Sequence, residues 1–221
     1  WILAYHLYHY YQREVVTAKE NGQLSLIAKQ AQLDNLAAQL NPHFLFNSLN
    51  SIKSMVIENP IVARRAIDLL SDLLRSSLYD KDKDLISIKD EMSLVYDYIE
   101  LEKMRFEDRL RLKTSIDDSL TNFKIPTLSI QLLVENAIKH GIDLRVGGGH
   151  IDLKVIKKND FIKITVNNPG KIKHKNNYNG LGIENLRKRL EIQYKGKASF
   201  SLNENEVGIV SAQIIIPIEH K

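Results

Sequence analysis

Residues 133–141 read LVENAIKHG, and the fold turns on this stretch. An otherwise apolar helix carries one amide, Asn136, with Lys139 and His140 three and four positions later. At helical spacing one face then offers an amide oxygen for a hard cation and basic groups for phosphates. The helix is expected over residues 128–140, with Gly141 ending it. Basic residues gathered at a helix C-terminus would read the same way, so the flanking segments have to separate the two readings.

Downstream, residues 151–155 and 161–166 alternate in polarity around Lys158, Asn159 and Asp160, as a hairpin does. Residues 166–170, VNNPG, end a strand in turn residues; an asparagine there can bond a base edge, and Gly170 admits a close backbone approach. A loop rich in Lys and Asn covers 171–179, and GLGIENLRKRL (180–190) places Gly180 and Gly182 where a loop enters a helix, a position whose free N–H groups attract phosphate. That helix is expected over 181–194, and the last strands over 198–202 and 209–216. Upstream, 88–106 reads as a helix capped by Ser87, and 110–116 alternates like a strand. Helices and strands mixed in this order indicate an α+β two-layer sandwich.

The polar run YDKDKD (79–84) marks a boundary, and before it the texture is all helical. One long helix is expected over about 5–40. Leu26, Leu33 and Leu40, with Leu36 between, form a thin seam suited to an identical partner helix. Pro42 should kink it one residue before His43. The helix resumes over 44–56, breaks at Glu58-Asn59-Pro60, and a second follows over 61–78. The expected result is an antiparallel helical hairpin with Gln39, His43 and Asn47 on one face of its first arm. A neutral imidazole is a nucleophile near pH 7. By spacing alone, though, a histidine in an apolar helix is more often a core residue.

Composition narrows the classes. The 221 residues contain no cysteine, which excludes a disulfide scaffold, a thiolate zinc site and a cysteine nucleophile. A net charge of +4, with lysines spread along the chain, argues against a basic nucleic-acid patch. Residues 1–11, WILAYHLYHYY, are too short to span a bilayer but resemble the aromatic belt at the end of a transmembrane helix. Because the chain begins at Trp1, it is read as a piece of a longer membrane protein. The division expected is a membrane-exit or signalling helix over 1–23, a helical hairpin over 24–80 and an α+β domain with its leading helix over 81–221.

QLNPHFLFNSLNSI (39–52) resembles the phosphoacceptor segment of LytS/YehU-type sensor histidine kinases. VENAIKHG, VNNPG and GLGIENLRKRL are similar to the N-box, G1 box and G2 box of their GHKL-type ATP-binding domain, and 86–110 to the family's linker helix. The resemblance covers roughly residues 24–217. It implies a GHKL/Bergerat-type fold in a homodimer and a cytoplasmic kinase core anchored to the inner or cytoplasmic membrane of a bacterium. The activity implied is autophosphorylation of His43 by ATP with Mg2+, then transfer to an Asp of a response regulator with a LytTR-type output.

Residue by residue, the resemblance makes Asn136 the Mg2+ ligand and places Lys139 and His140 near the phosphates. Asn168 reads the adenine amino group and Gly170 lets the base approach. Gly180 and Gly182 form the phosphate-facing turn, with Asn185 and Arg187 nearby, and the 171–179 loop is the ATP lid. Two departures matter. Asn168 replaces the usual Asp, which keeps an acceptor but removes a charge. Phe44 follows the histidine where larger histidine-kinase families carry an acidic base, which leaves the base for His43 open. Glu135 is one candidate from the ATP side, a surface pair being the other reading of it, and Asn47 is the residue to orient water for dephosphorylation. Leu132 stands where many relatives have Pro. The alternatives are a signalling scaffold with a weakened nucleotide site, or another GHKL-type ATPase or serine kinase.

Overall fold

The computed structural model describes residues 13–14, 42–79, 85–172 and 181–218; the side chains of Pro42, His43, residues 77–79 and Leu181 are not among the described ones. The chain divides into two compact units, Trp1–Leu45 and Phe46–Lys221. Of the first, the helical pair Arg13 and Glu14 and the opening of α1 (Pro42–Glu58) are described. The leucine seam, Gln39 and the expected kink ahead of His43 lie outside the described residues.

α1 runs into α2 (Pro60–Tyr79) through Asn59 alone, a shorter break than the three residues expected. Asn59 Oδ1 accepts the Val62 N–H at 3.3 Å, and Pro60 opens the helix, where its missing N–H costs nothing. Ala63, Ala66, Leu69, Leu70 and Leu73 bury one stripe of α2. α2 packs against α3 (Ile88–Phe106), and Arg65 meets Glu100 across them in a bidentate pair at 2.7 and 2.9 Å.

α3 begins as the sequence leads one to expect. Ser87 Oγ accepts from Asp90 N at 3.1 Å, and the Ile88 and Lys89 N–H groups reach the carbonyls of Phe123 and Thr121. A small feature not anticipated lies before it. β1 (Leu85–Ser87) pairs antiparallel with β3 (Lys124–Pro126), so the entry to α3 lies beside the entry to α4 (Ser129–Ala137).

The main sheet has the order β2-β4-β5-β7-β6, built from β2 (Leu110–Ile116), β4 (Gly149–Lys158), β5 (Phe161–Pro169), β6 (Ser199–Glu204) and β7 (Ile209–Pro217). β2 and β4 are parallel and the other pairs antiparallel. One face is apolar: Ile151, Leu153, Val155, Ile162, Ile164, Val166, Ala212, Ile214 and Ile216 are all buried. Against it lie Met92, Val95 and Ile99 of α3, Leu133, Val134 and Ala137 of α4, and Leu186 and Leu190 of α5 (Leu181–Tyr194). The alternating residues, such as Lys154, Thr165 and Gln213, are at least partly exposed, the period-2 pattern of a sheet covered on one side. The architecture is the expected one, a helical region followed by a two-layer α+β sandwich.

Candidate functional site

Two local expectations are corrected here. Gly141 does not end the helix: after Ala137 the chain widens into a π turn, Ile138–Ile142, closed by Asp143 N donating to Ile138 O at 2.9 Å. Such turns disturb helical spacing and recur at functional sites. Lys139 and His140 are therefore exposed on the wider turn rather than continuing the α-helical face of Asn136. The VNNPG segment is not a turn either: β5 continues through Pro169, with Asn168 paired to Val210 and Pro169 to Ile209. Edge-to-edge hydrogen bonding to β7 overrides the local turn preference.

The π turn explains why a glycine stands at 141. A Cβ there would collide with Asn168 Nδ2, and would lie 2.6 Å from the Pro169 carbonyl oxygen. One built on Gly170 would meet Asn168 Nδ2 at 3.2 Å and His140 O at 3.3 Å. Asn168 is buried, 6% exposed, and its Nδ2 donates to Pro169 O at 3.0 Å. That bond uses one of the amide's two N–H donors and leaves its oxygen to accept, the polarity an adenine amino group requires. Gly170 N donates to Gly208 O at 2.9 Å, fixing the turn after β5.

Asn136 is half-buried, and its Nδ2 donates to Leu132 O at 2.8 Å. That bond holds the amide nitrogen on the helix backbone, and the amide oxygen is the atom a hard cation takes, so the residue fits Mg2+. Gly182, in the first turn of α5, packs on the same Leu132: a Cβ there would come within 2.7 Å of Leu132 Cδ1. Segments far apart in sequence thus meet at α4 and its π turn. Gly180 and residues 173–179, most of the expected lid, lie outside the described residues, although Ile172 N donates to Glu204 Oε2 at 2.6 Å just before them. Among the described residues, no group of three or more His, Asp and Glu side chains gathers as a metal site.

The other expected residues divide. Glu135 is half-buried and accepts from Gln131 Nε2 at 3.2 Å; burial raises its carboxyl, against the pull of Gln131 and Lys139. It faces a buried group from α3. Burial pushes Glu102 up to about 7 despite Arg105, whose Nη2 is 3.0 Å away, and pushes Tyr98 well above the usual phenol range. Arg187 lies 5.2 Å from the Phe200 ring centroid, engaged with β6, and Asn185 is exposed. Asn47 is half-buried on α1, one turn beyond His43.

Glu91 and Arg189 were not singled out in the sequence. Glu91 is 0% exposed and accepts three backbone N–H groups at the start of α4, while Arg189 Nη1 donates to Thr127 O at 2.6 Å. The β1–β3 pairing brings Glu91 to the start of α4, and nothing local in α3 signals it.

A histidine kinase family model matches residues 31–110. The sensor histidine kinase YpdA of Escherichia coli (strain K12) is 43% identical over 148 residues, 67% of this chain and 26% of the relative. The sensor protein LytS of Staphylococcus epidermidis (strain ATCC 35984) is 38% identical over 159 residues, 72% of this chain and 26% of the relative. A solved bacterial phosphotransferase structure aligns with a TM-score of 0.51 at 8% identity, covering 81% of this chain and 95% of that one, and speaks for the fold alone. The chain spans about a quarter of the length of these curated relatives. The two-layer sandwich thus has a solved counterpart in fold. More narrowly, the chain belongs to the sensor histidine kinase family, with YpdA and LytS among its homologues.

Proposed function

We propose that this chain is the kinase core of a two-component sensor histidine kinase, which uses ATP to phosphorylate His43 and passes the phosphoryl group to an Asp of a response regulator. The observation that carries the reading is the meeting of Asn136, Gly170 with Asn168, and Gly182 around α4 and its π turn. An amide oxygen, a buried base-reading acceptor and a close-packed glycine turn at a helix start are the parts a nucleotide triphosphate needs.

In this reading Asn136 holds Mg2+ through its amide oxygen, which supplies charge neutralisation on the phosphates. Asn168 accepts from the adenine amino group, Gly141 and Gly170 keep side chains out of its way, and Gly180 and Gly182 face the phosphates. Lys139 and His140, exposed on the π turn, add positive charge and donors. At His43 an N–P bond forms as the bond from the γ-phosphorus to the β–γ bridging oxygen breaks, and ADP leaves. Phe44 offers no base, so Glu135 takes the imidazole proton; burial raises its carboxyl, which makes it a stronger proton acceptor. Asn47 orients the water of a separate, hydrolytic dephosphorylation that releases inorganic phosphate. The chain acts as a homodimer in a membrane-anchored protein, on the cytoplasmic side, toward a regulator with a LytTR-type output. The resemblance of the NPHFLFN segment supports these last points.

Incubation with γ-labelled ATP and Mg2+ tests the reading. Acid-labile label that disappears in His43→Gln is expected; acid-stable label, or equal labelling of the variant, overturns it.

A further inference from the structure

α4 begins without a cap of its own. Leu128, which precedes it, has φ 61, in the left-handed region, and no side-chain oxygen to offer the free N–H groups of the first turn. The cap comes from another helix. Glu91 Oε2 accepts the Leu128 N–H at 2.8 Å, and Oε1 accepts those of Ile130 at 2.9 Å and Gln131 at 3.1 Å. From α5, Arg189 donates to the carbonyl of Thr127, and its charge favours the ionised form of Glu91.

The turn held in this way also carries Leu132. Its N–H donates to Leu128 O at 3.2 Å, its carbonyl accepts from Asn136, and its side chain packs on Gly182. The amide that faces the cation and the glycine that faces the phosphates are thus both referred to one turn of backbone. A Pro at 132 would lack that N–H.

We propose that Glu91 and Arg189 are positioning residues for the nucleotide, clamping the first turn of α4 from α3 and α5 and so holding Asn136 in register with the Gly182 turn. The inference rests on the reading of the site given above. Neither group needs to touch ATP; each acts through α4.

The test uses the whole chain with Glu91→Gln, Arg189→Met, the double variant, Asn136→Ala, and Ile164→Val as a core control. Binding of trinitrophenyl-ATP is followed as Mg2+ is titrated, beside thermal unfolding and amide hydrogen exchange without nucleotide. Each clamp variant should raise the Mg2+ midpoint by about tenfold, the usual cost of losing a group that orients a metal ligand. The double variant should lose no more than the weaker single one, and Glu91→Gln should change nothing further once Asn136 is Ala. Exchange at Leu128, Ile130 and Gln131 should quicken in Glu91→Gln. Variants that lose thermal stability as the core control does, yet keep the wild-type Mg2+ midpoint, would reduce the clamp to an ordinary cap and overturn the proposal. Should Glu91→Gln not fold, Arg189→Met decides between the same outcomes. If the wild-type chain binds no nucleotide, the reading of the site fails and the clamp with it; wild-type binding with unchanged variants overturns the clamp alone.

Discussion

At Asn168 the difference between an amide and a carboxylate is a matter of one hydrogen bond. Its Nδ2 donates to Pro169 O at 3.0 Å in a buried setting, with Gly141 and Gly170 close around it. A carboxylate has no donor for that carbonyl, so Asn168→Asp places two acceptors face to face away from water. The cost of leaving a buried polar group unsatisfied is about 1–3 kcal/mol. Urea denaturation without nucleotide should therefore find Asn168→Asp less stable than the wild type by that order. Equal stability would mean that the amide donor contributes nothing at this turn. The loss of charge foreseen from sequence is thus half of the account; the other half is a donor that this chain uses internally. His43 marks the opposite case, a residue that the sequence singles out through its NPHFLFN setting and whose side chain is not among those described.

Between elements, the contact most sensitive to solution conditions is that of α3 with α4 through Glu91. Burial pushes its carboxyl from an ordinary 4.5 up to about 7, against the three backbone N–H groups and the charge of Arg189. The folded chain therefore keeps a proton that the unfolded chain has already released between these two values. With more protons bound to the folded state, stability falls as pH rises through that window and levels off above about 7. For Glu91 the change amounts to roughly 3 kcal/mol. Subtracting the pH–stability curve of Glu91→Gln from that of the wild type isolates this slope, which Glu102 shares in direction. A difference curve that is flat, or that rises with pH, contradicts it. Above the window both Glu91 oxygens are free to accept, which is the form the geometry of α4 displays.

Over the whole molecule, the helical region meets the sandwich where α2 packs on α3, and Arg65 with Glu100 is the ion pair there. The pair is exposed, so it contributes little to stability and more to register. Asp97 lies near enough to be felt by both partners. Arg65→Glu would set three carboxylates together. Nucleotide binding by the sandwich should be unchanged while labelling of His43 slows, and Arg65→Glu combined with Glu100→Arg should recover it. Equal labelling by the single variant would show that the α2–α3 register does not matter to transfer.

What the sequence by itself determined is the set of long elements and the residue types of the site. The helix over 88–106, the strand over 110–116 and the helix over 181–194 follow from period and caps, because those signals reside in neighbouring residues. The amide of Asn136 and the glycines at 141, 170 and 182 were visible as types at motif spacing. Only the tertiary structure decided how they are held. The π turn at 138–142 sets Gly141 against Asn168, and β5 runs on through Pro169 because β7 completes its hydrogen bonds. Glu91 became a cap because a two-strand ribbon set the starts of α3 and α4 side by side. Each of these depends on a partner between 27 and 42 residues away, beyond the reach of any local preference.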